Sequence, residues 1–71
     1  MPEMIFVDSS SVEAIGYDSA TQDLHVRFLK SGTTYVYHTV EDWVFQELMQ
    51  ADSKGTYVHA NIKPKYQYSK L

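Results

Sequence analysis

The fold turns on one stretch, Leu24-His25-Val26-Arg27-Phe28-Leu29-Lys30-Ser31-Gly32-Thr33-Thr34-Tyr35-Val36-Tyr37. Apolar residues fall at every second position on both sides of Ser31-Gly32, the pattern of two half-buried strands joined by a tight turn. With Ser31-Gly32 as a two-residue loop, Phe28 is expected opposite Tyr35, Val26 opposite Tyr37 and His25 opposite His38. Upstream, Val12 to Asp18 is β-prone and is closed by the turn-forming run Asp18-Ser19-Ala20-Thr21-Gln22. Pairing Asp18 with Asp23 sets Tyr17 against Leu24 and Ile15 against Val26. Both hairpins then put Ile15, Tyr17, Leu24, Val26, Phe28, Tyr35 and Tyr37 on one face of the sheet. The other face receives Ala14, Gly16, His25, Arg27, Thr34, Val36 and His38.

Beyond Thr39 the period changes. Val40, Val44, Phe45, Leu48 and Met49 share one stripe at helical spacing, so Glu41 to Ala51 is expected to be a helix. Thr39 is the expected N-cap, with Asp42 three residues on. Ser53 is the expected N-cap of a second helix that Pro64 stops near Ile62 or Lys63, with Tyr57, Ala60 or Asn61, and Ile62 facing inward. A sheet with one aromatic face and two short amphipathic helices must bury one against the other. The expected fold class is therefore α+β: a three-stranded antiparallel β-meander followed by two short α-helices packed on one sheet face. Residues 1–8 are expected to be an N-terminal arm or a ragged strand, and residues 1–71 a single domain.

The chain has 71 residues, no cysteine and a formal net charge of −3. Without cysteine, disulfides, thiolate chemistry and Cys-based zinc sites are excluded. No apolar run reaches the roughly 20 residues of a membrane helix, and the N-terminus lacks the basic leader and cleavage site of a signal peptide. A cytoplasmic protein with no membrane association is the expectation. Charge is unevenly distributed. Acids dominate residues 1–51, whereas Lys54, Lys63, Lys65 and Lys70 face only Asp52 in residues 52–71.

Several segments resemble the KTSC domain, a module found at the C-terminus of some lysyl-tRNA synthetases and as a stand-alone bacterial or phage protein. The resemblance lies in Ile15-Gly16-Tyr17-Asp18, the aromatic pair Tyr35-Val36-Tyr37, Ala51 with Ser53-Lys54-Gly55, and Tyr66 with Tyr68, and spans about residues 7–71. The chain departs from the family where Val40-Glu41 stands in place of a Val-Pro entering the first helix, a change at a helix start. The resemblance implies the fold, an uncharacterised activity and, through the synthetase, an association with RNA.

Each candidate site has a structural reading beside its functional one. Gly16, Tyr17, Tyr35 and Tyr37 are expected to be structural, although exposed tyrosines on a sheet could stack bases. His25 and His38 could share a metal only with a third ligand that the spacing does not supply, so no metal or cofactor is expected. The interleaved lysines and tyrosines of the last twenty residues suit single-stranded nucleic acid, where phosphates are neutralised and bases stacked. Lys63, Lys65, Tyr66 and Tyr68 are the expected contact surface, with Arg27 as a further contributor. Gly16 and Ala14 are expected to leave the polar sheet face approachable. Ser9, Ser10 and Ser11 lack a nucleophile-elbow setting and no base is placed by spacing, so catalysis is not expected. The expectation is a non-catalytic binding module whose partner is RNA, either tRNA or single-stranded. The alternative is a protein-interaction module using a sheet edge or the acidic surface.

Overall fold

The computed structural model describes residues 2–71. Five strands form one antiparallel sheet in chain order: β1 (Ile5–Phe6), β2 (Val12–Asp18), β3 (Asp23–Phe28), β4 (Thr34–Tyr37) and β5 (Tyr68–Lys70). Helix α1 (Asp42–Gln50) follows β4, and α2 (Lys54–Tyr57) runs on into a π-helical turn, Val58–Ile62. The expected α+β class holds, and the meander gains a strand at each edge. Both additions come from the ends of the chain. Ile5 pairs with Ile15 and Phe6 with Ala14, whereas Tyr68 pairs with Tyr37 and Lys70 with Tyr35. Single short strands carry little signal of their own and form because a neighbouring edge is waiting to be paired.

The β2–β3 register is as expected, with Tyr17 opposite Leu24 and Ile15 opposite Val26. The β3–β4 register differs by two residues: Val26 faces Tyr35 and Leu24 faces Tyr37. The turn is longer than Ser31-Gly32 alone. The Gly32 N–H donates to the Phe28 carbonyl and the Phe28 N–H to the Thr33 carbonyl, leaving Leu29–Gly32 as the loop. Gly32 closes it at φ 66°, a left-handed conformation natural to glycine. A shift of two preserves the faces and changes the partners. His25 therefore stands opposite Val36 and Gly16, not His38, and the expected cross-strand histidine pair does not form.

The core is the expected aromatic face closed by the helices. Val12, Ile15, Leu24, Val26 and Tyr37 pack with Val40, Val44, Leu48, Val58 and Ile62. Tyr17 stacks on Phe45 with ring centroids 4.9 Å apart, and its hydroxyl donates to the Val40 carbonyl, fastening β2 to the entrance of α1. Two local expectations change. Thr39 does not cap α1; it takes a left-handed φ of 60°, and Glu41 occupies the N-cap position without a side-chain cap bond. Ser53 does cap α2, accepting from the Thr56 N–H at 3.3 Å. In the second helix Val58, not Ala60, is buried with Ile62. The Lys63 N–H reaches the Val58 carbonyl, the five-residue step of a π-helical turn, and positions 58 and 62, four apart, share its inner face.

The outer face is covered. Residues 2–4 leave the β1 edge and cross over Gly16, where an added Cβ would meet Met4 Sδ at 2.7 Å and the Glu3 carbonyl at 2.9 Å. The N-terminal stretch is thus both strand and arm; its first residue, Met1, lies outside the described residues. Ala14, Gly16, His25 and Val36 are buried on this side, so it is not the approachable face expected from their small size. Among the described residues no helix is long and apolar enough to cross a membrane.

Candidate functional site

Between the β4–β5 edge and the end of the π-helical turn lies a cleft of about 160 Å³ lined by Tyr35, Tyr37, Lys63 and Tyr68. The pleat creates it. Tyr35 and Tyr37 are two residues apart and share a face; β5 then sets Tyr68 opposite Tyr37 on the same side. The rings form a chain of edge contacts. Phe28 meets Tyr35 at 5.6 Å and 67°, Tyr35 meets Tyr68 at 5.4 Å and 84°, and Tyr68 meets Tyr37 at 5.9 Å and 48°. Tyr37 is the buried floor, and burial pushes its phenol up to about 12. Tyr68, at 60% exposure, is the open wall.

Lys63 stands at the mouth. The π-helical turn ends at Ile62, and Lys63 projects its ammonium over the Phe28 ring, 5.2 Å from the centroid. A cation over an aromatic face is held by the ring quadrupole while its outer side stays in water. The site therefore offers π-surfaces with a fixed positive charge beside them. Lys70 shares the same sheet face through its pairing with Tyr35.

The structure thus brings together two of the five contact residues nominated from sequence, Lys63 and Tyr68, beside Tyr35 and Tyr37, expected to be structural, and separates the other three. Lys65 and Tyr66 border a different and larger cleft, about 610 Å³, at the end of the sheet near the start of α1. There the Tyr66 hydroxyl donates to Glu41 Oε1 at 2.7 Å; this bond holds the Glu41 carboxyl below its ordinary range. Desolvation, followed by the same bond, raises the Tyr66 phenol to about 12. Tyr66 packs against the core and acts as a brace. Arg27 lies on the opposite sheet face, 3.5 Å from Glu13 Oε2, and cannot share a ligand with Lys63 in the cleft.

Gly16 lies beneath residues 2–4, and Tyr17 packs on Phe45. Gly55 is closely approached too: a Cβ there would collide with the Ser11 hydroxyl. His25 is 7% exposed and its Nδ1 has no hydrogen-bond partner among the described residues. Desolvation lowers its pKa. No three His, Asp or Glu side chains converge as a metal site among the described residues. Phe28 is a site residue that sequence reasoning misses, because its place beneath Lys63 depends on the π-helical turn. The Tyr66-Gln67-Tyr68 alternation is the available signal for β5, and with it for the Tyr68–Tyr37 pairing.

Comparison with known proteins agrees with this architecture. Residues 8–66 match the KTSC domain family. A protein of Tsukamurella paurometabola is 44% identical over 61 residues, 86% of this chain and 90% of its own length. A lysine–tRNA ligase of Trichormus variabilis is 41% identical over 64 residues, which are 90% of this chain but 11% of the ligase. The crystal structure of a KTSC domain protein from Yersinia pestis superposes with a TM-score of 0.94 at 34% identity, covering 100% of this chain and 99% of that one.

Proposed function

The chain belongs to the KTSC domain family, and from that premise we propose that it is an RNA-associated binding module whose contact surface is the Tyr35–Tyr37–Tyr68–Lys63 cleft. One observation carries the reading: an exposed tyrosine beside two others, with a lysine fixed over a neighbouring ring. Ligand pockets for compact small molecules usually span about 300–1,000 Å³. A cleft of about 160 Å³ is too small for that and has the size of a seat for one flat ring. Bases stack on such surfaces irrespective of sequence, and a nearby lysine neutralises the adjoining phosphate. The relatives that are lysine–tRNA ligases, in which a segment like this chain is 11% of the whole, support the same reading, since tRNA is their substrate. A cytoplasmic setting, where tRNA is charged, belongs to the proposal.

The test is an amide chemical-shift titration with short single-stranded RNA and with tRNA at several salt concentrations. Shifts should centre on Tyr35, Tyr37, Lys63 and Tyr68. Log affinity should fall with log salt by about 0.7 per phosphate contacted on a single strand. Tyr68→Ala should remove about 1–3 kcal/mol, as loss of one stacked base does, and Lys63→Glu should flatten the salt dependence. Binding that ignores salt, or shifts confined to the outer face, would reject RNA at this cleft and favour a protein partner.

A further inference from the structure

Three side chains from neighbouring strands line up at the end of the sheet, away from the aromatic cleft. His38, one residue past β4, has Nδ1 3.1 Å from Asp23 Oδ1 at the start of β3 and Nε2 2.9 Å from Ser69 Oγ on β5. One neutral tautomer satisfies both contacts: Nδ1–H donates to the carboxylate, and Nε2 accepts from the serine hydroxyl. The bond from His38 is the main reason the Asp23 carboxyl is held below its ordinary range, so it is an anion at neutral pH. A hydroxyl within reach of a base, and a base oriented by a third group, is the arrangement that activates a serine.

The surroundings add a second observation. His38 lines the larger cleft together with Gln22, Thr39, Glu41, Lys65, Tyr66 and Gln67, and Ser69 lies beside it through its contact with His38. Gln22 at φ 61° and Thr39 at φ 60° are the non-glycine residues with left-handed backbone among the described residues, and both border this cleft. The Val40 N–H, next to Thr39, donates to the Gln22 carbonyl at 2.9 Å and holds the two strained segments together. Strain in a β-branched residue persists only where its surroundings over-determine it, and such residues gather at reactive sites.

We infer that Ser69 is a nucleophile toward small esters, with His38 as its general base and Asp23 as the positioning residue. In the first step Ser69 Oγ bonds to the ester carbonyl carbon and its proton passes to His38 Nε2. The bond from that carbon to the alcohol oxygen then breaks, and the imidazolium returns the proton to the departing alkoxide. Water, deprotonated in turn by His38, attacks the acyl-serine; the acid leaves and Ser69 regains its hydroxyl. The inference does not rest on RNA binding. Ser69 pairs with Val36 and faces the opposite side of the sheet from Tyr68.

A fluorophosphonate probe isolates the first step: the Oγ–P bond forms, the P–F bond breaks, fluoride leaves, and the proton passes through His38 to water. The wild-type chain should gain the mass of one adduct, which peptide mapping places on Ser69, and Ser69→Ala should gain none. His38→Gln can still hydrogen-bond to the serine but takes up no proton, and should label about a hundredfold more slowly or worse. Asp23→Asn should slow labelling, and Asp23→Glu should restore part of the rate, which loss of a merely structural contact would not produce. No adduct on the folded wild-type chain overturns the inference. So does an adduct on Ser69 that forms as fast in His38→Gln or in the urea-unfolded chain.

Discussion

Gly16→Ala sets two effects of known sign against each other. Gly16 lies in β2 opposite His25, with residues 2–4 passing over it. Alanine removes conformational freedom from the unfolded chain, which by itself stabilises by about 0.4–1 kcal/mol. Its Cβ, however, would sit 2.7 Å from Met4 Sδ, 2.9 Å from the Glu3 carbonyl and 3.3 Å from Pro2 Cγ. The methionine end can swing aside. The Glu3 carbonyl is backbone and yields only if the arm lifts, and overpacking of this kind costs about 1–3 kcal/mol. The clash wins, for a net loss of about 1–2 kcal/mol. Relief comes from the arm and not the sheet, because the arm is anchored by the two residues of β1 whereas Gly16 is paired within a strand of seven. Equilibrium urea unfolding should show a lower midpoint, and native-state amide exchange should show loss of protection on the outer face near His25. An unchanged or higher midpoint would refute the reasoning, since the arm would then not be seated on Gly16.

Tyr37→Ala should leave the chain largely unfolded at 25 °C by circular dichroism, because losing a large buried ring costs about 3–5 kcal/mol, comparable to the whole stability of a domain this small. Ser53→Ala should lower stability by about 0.5–2 kcal/mol through loss of the bond to the Thr56 N–H, whereas Ser53→Asp should be nearly neutral. His25 is held below its ordinary value of 6.5, so under acid the unfolded chain takes up a proton that the folded chain resists. Its contribution is complete above that value and shrinks as pH falls below it; urea midpoints at pH 7.5 and 5 should differ, and His25→Gln should reduce the difference.

Alternation between Leu24 and Tyr37 is enough to read the core face, because a two-residue error in register leaves every side chain on its own side. It is not enough to read partners. Turn length decides those, and the loop geometry around Gly32 depends on hydrogen bonds that no residue type announces. The end strands are only faintly legible for a related reason: residues 1–8 read as an arm or a ragged strand and Tyr68-Ser69-Lys70 as a tail, because both are extended by the open edges of β2 and β4 and not by strong preferences of their own. Charge and aromatic interleaving point to Lys63 and Tyr68, and the structure places the two together. The same logic groups Lys65 and Tyr66 with them, and fails because a turn at Pro64 sends neighbours in sequence to different clefts. The Asp23–His38 contact is missed because the two-residue register error sets His38 against His25. Ser69 is missed as well, since its position depends on β5, which returns to the sheet only after both helices.

The sheet order has a kinetic consequence. Every strand pairs only with strands adjacent to it in sequence, so the first contacts of β2, β3 and β4 close short loops at small entropic cost. The connection from β4 to β5 is the long one, since both helices lie within it. The three-strand nucleus can therefore assemble early, and the last strand must wait until the helices have docked. Both the open wall of the aromatic cleft and the Ser69–His38 contact arrive with that strand. A stall between nucleus and completion would leave a molecule with nearly native secondary structure and neither of its candidate sites.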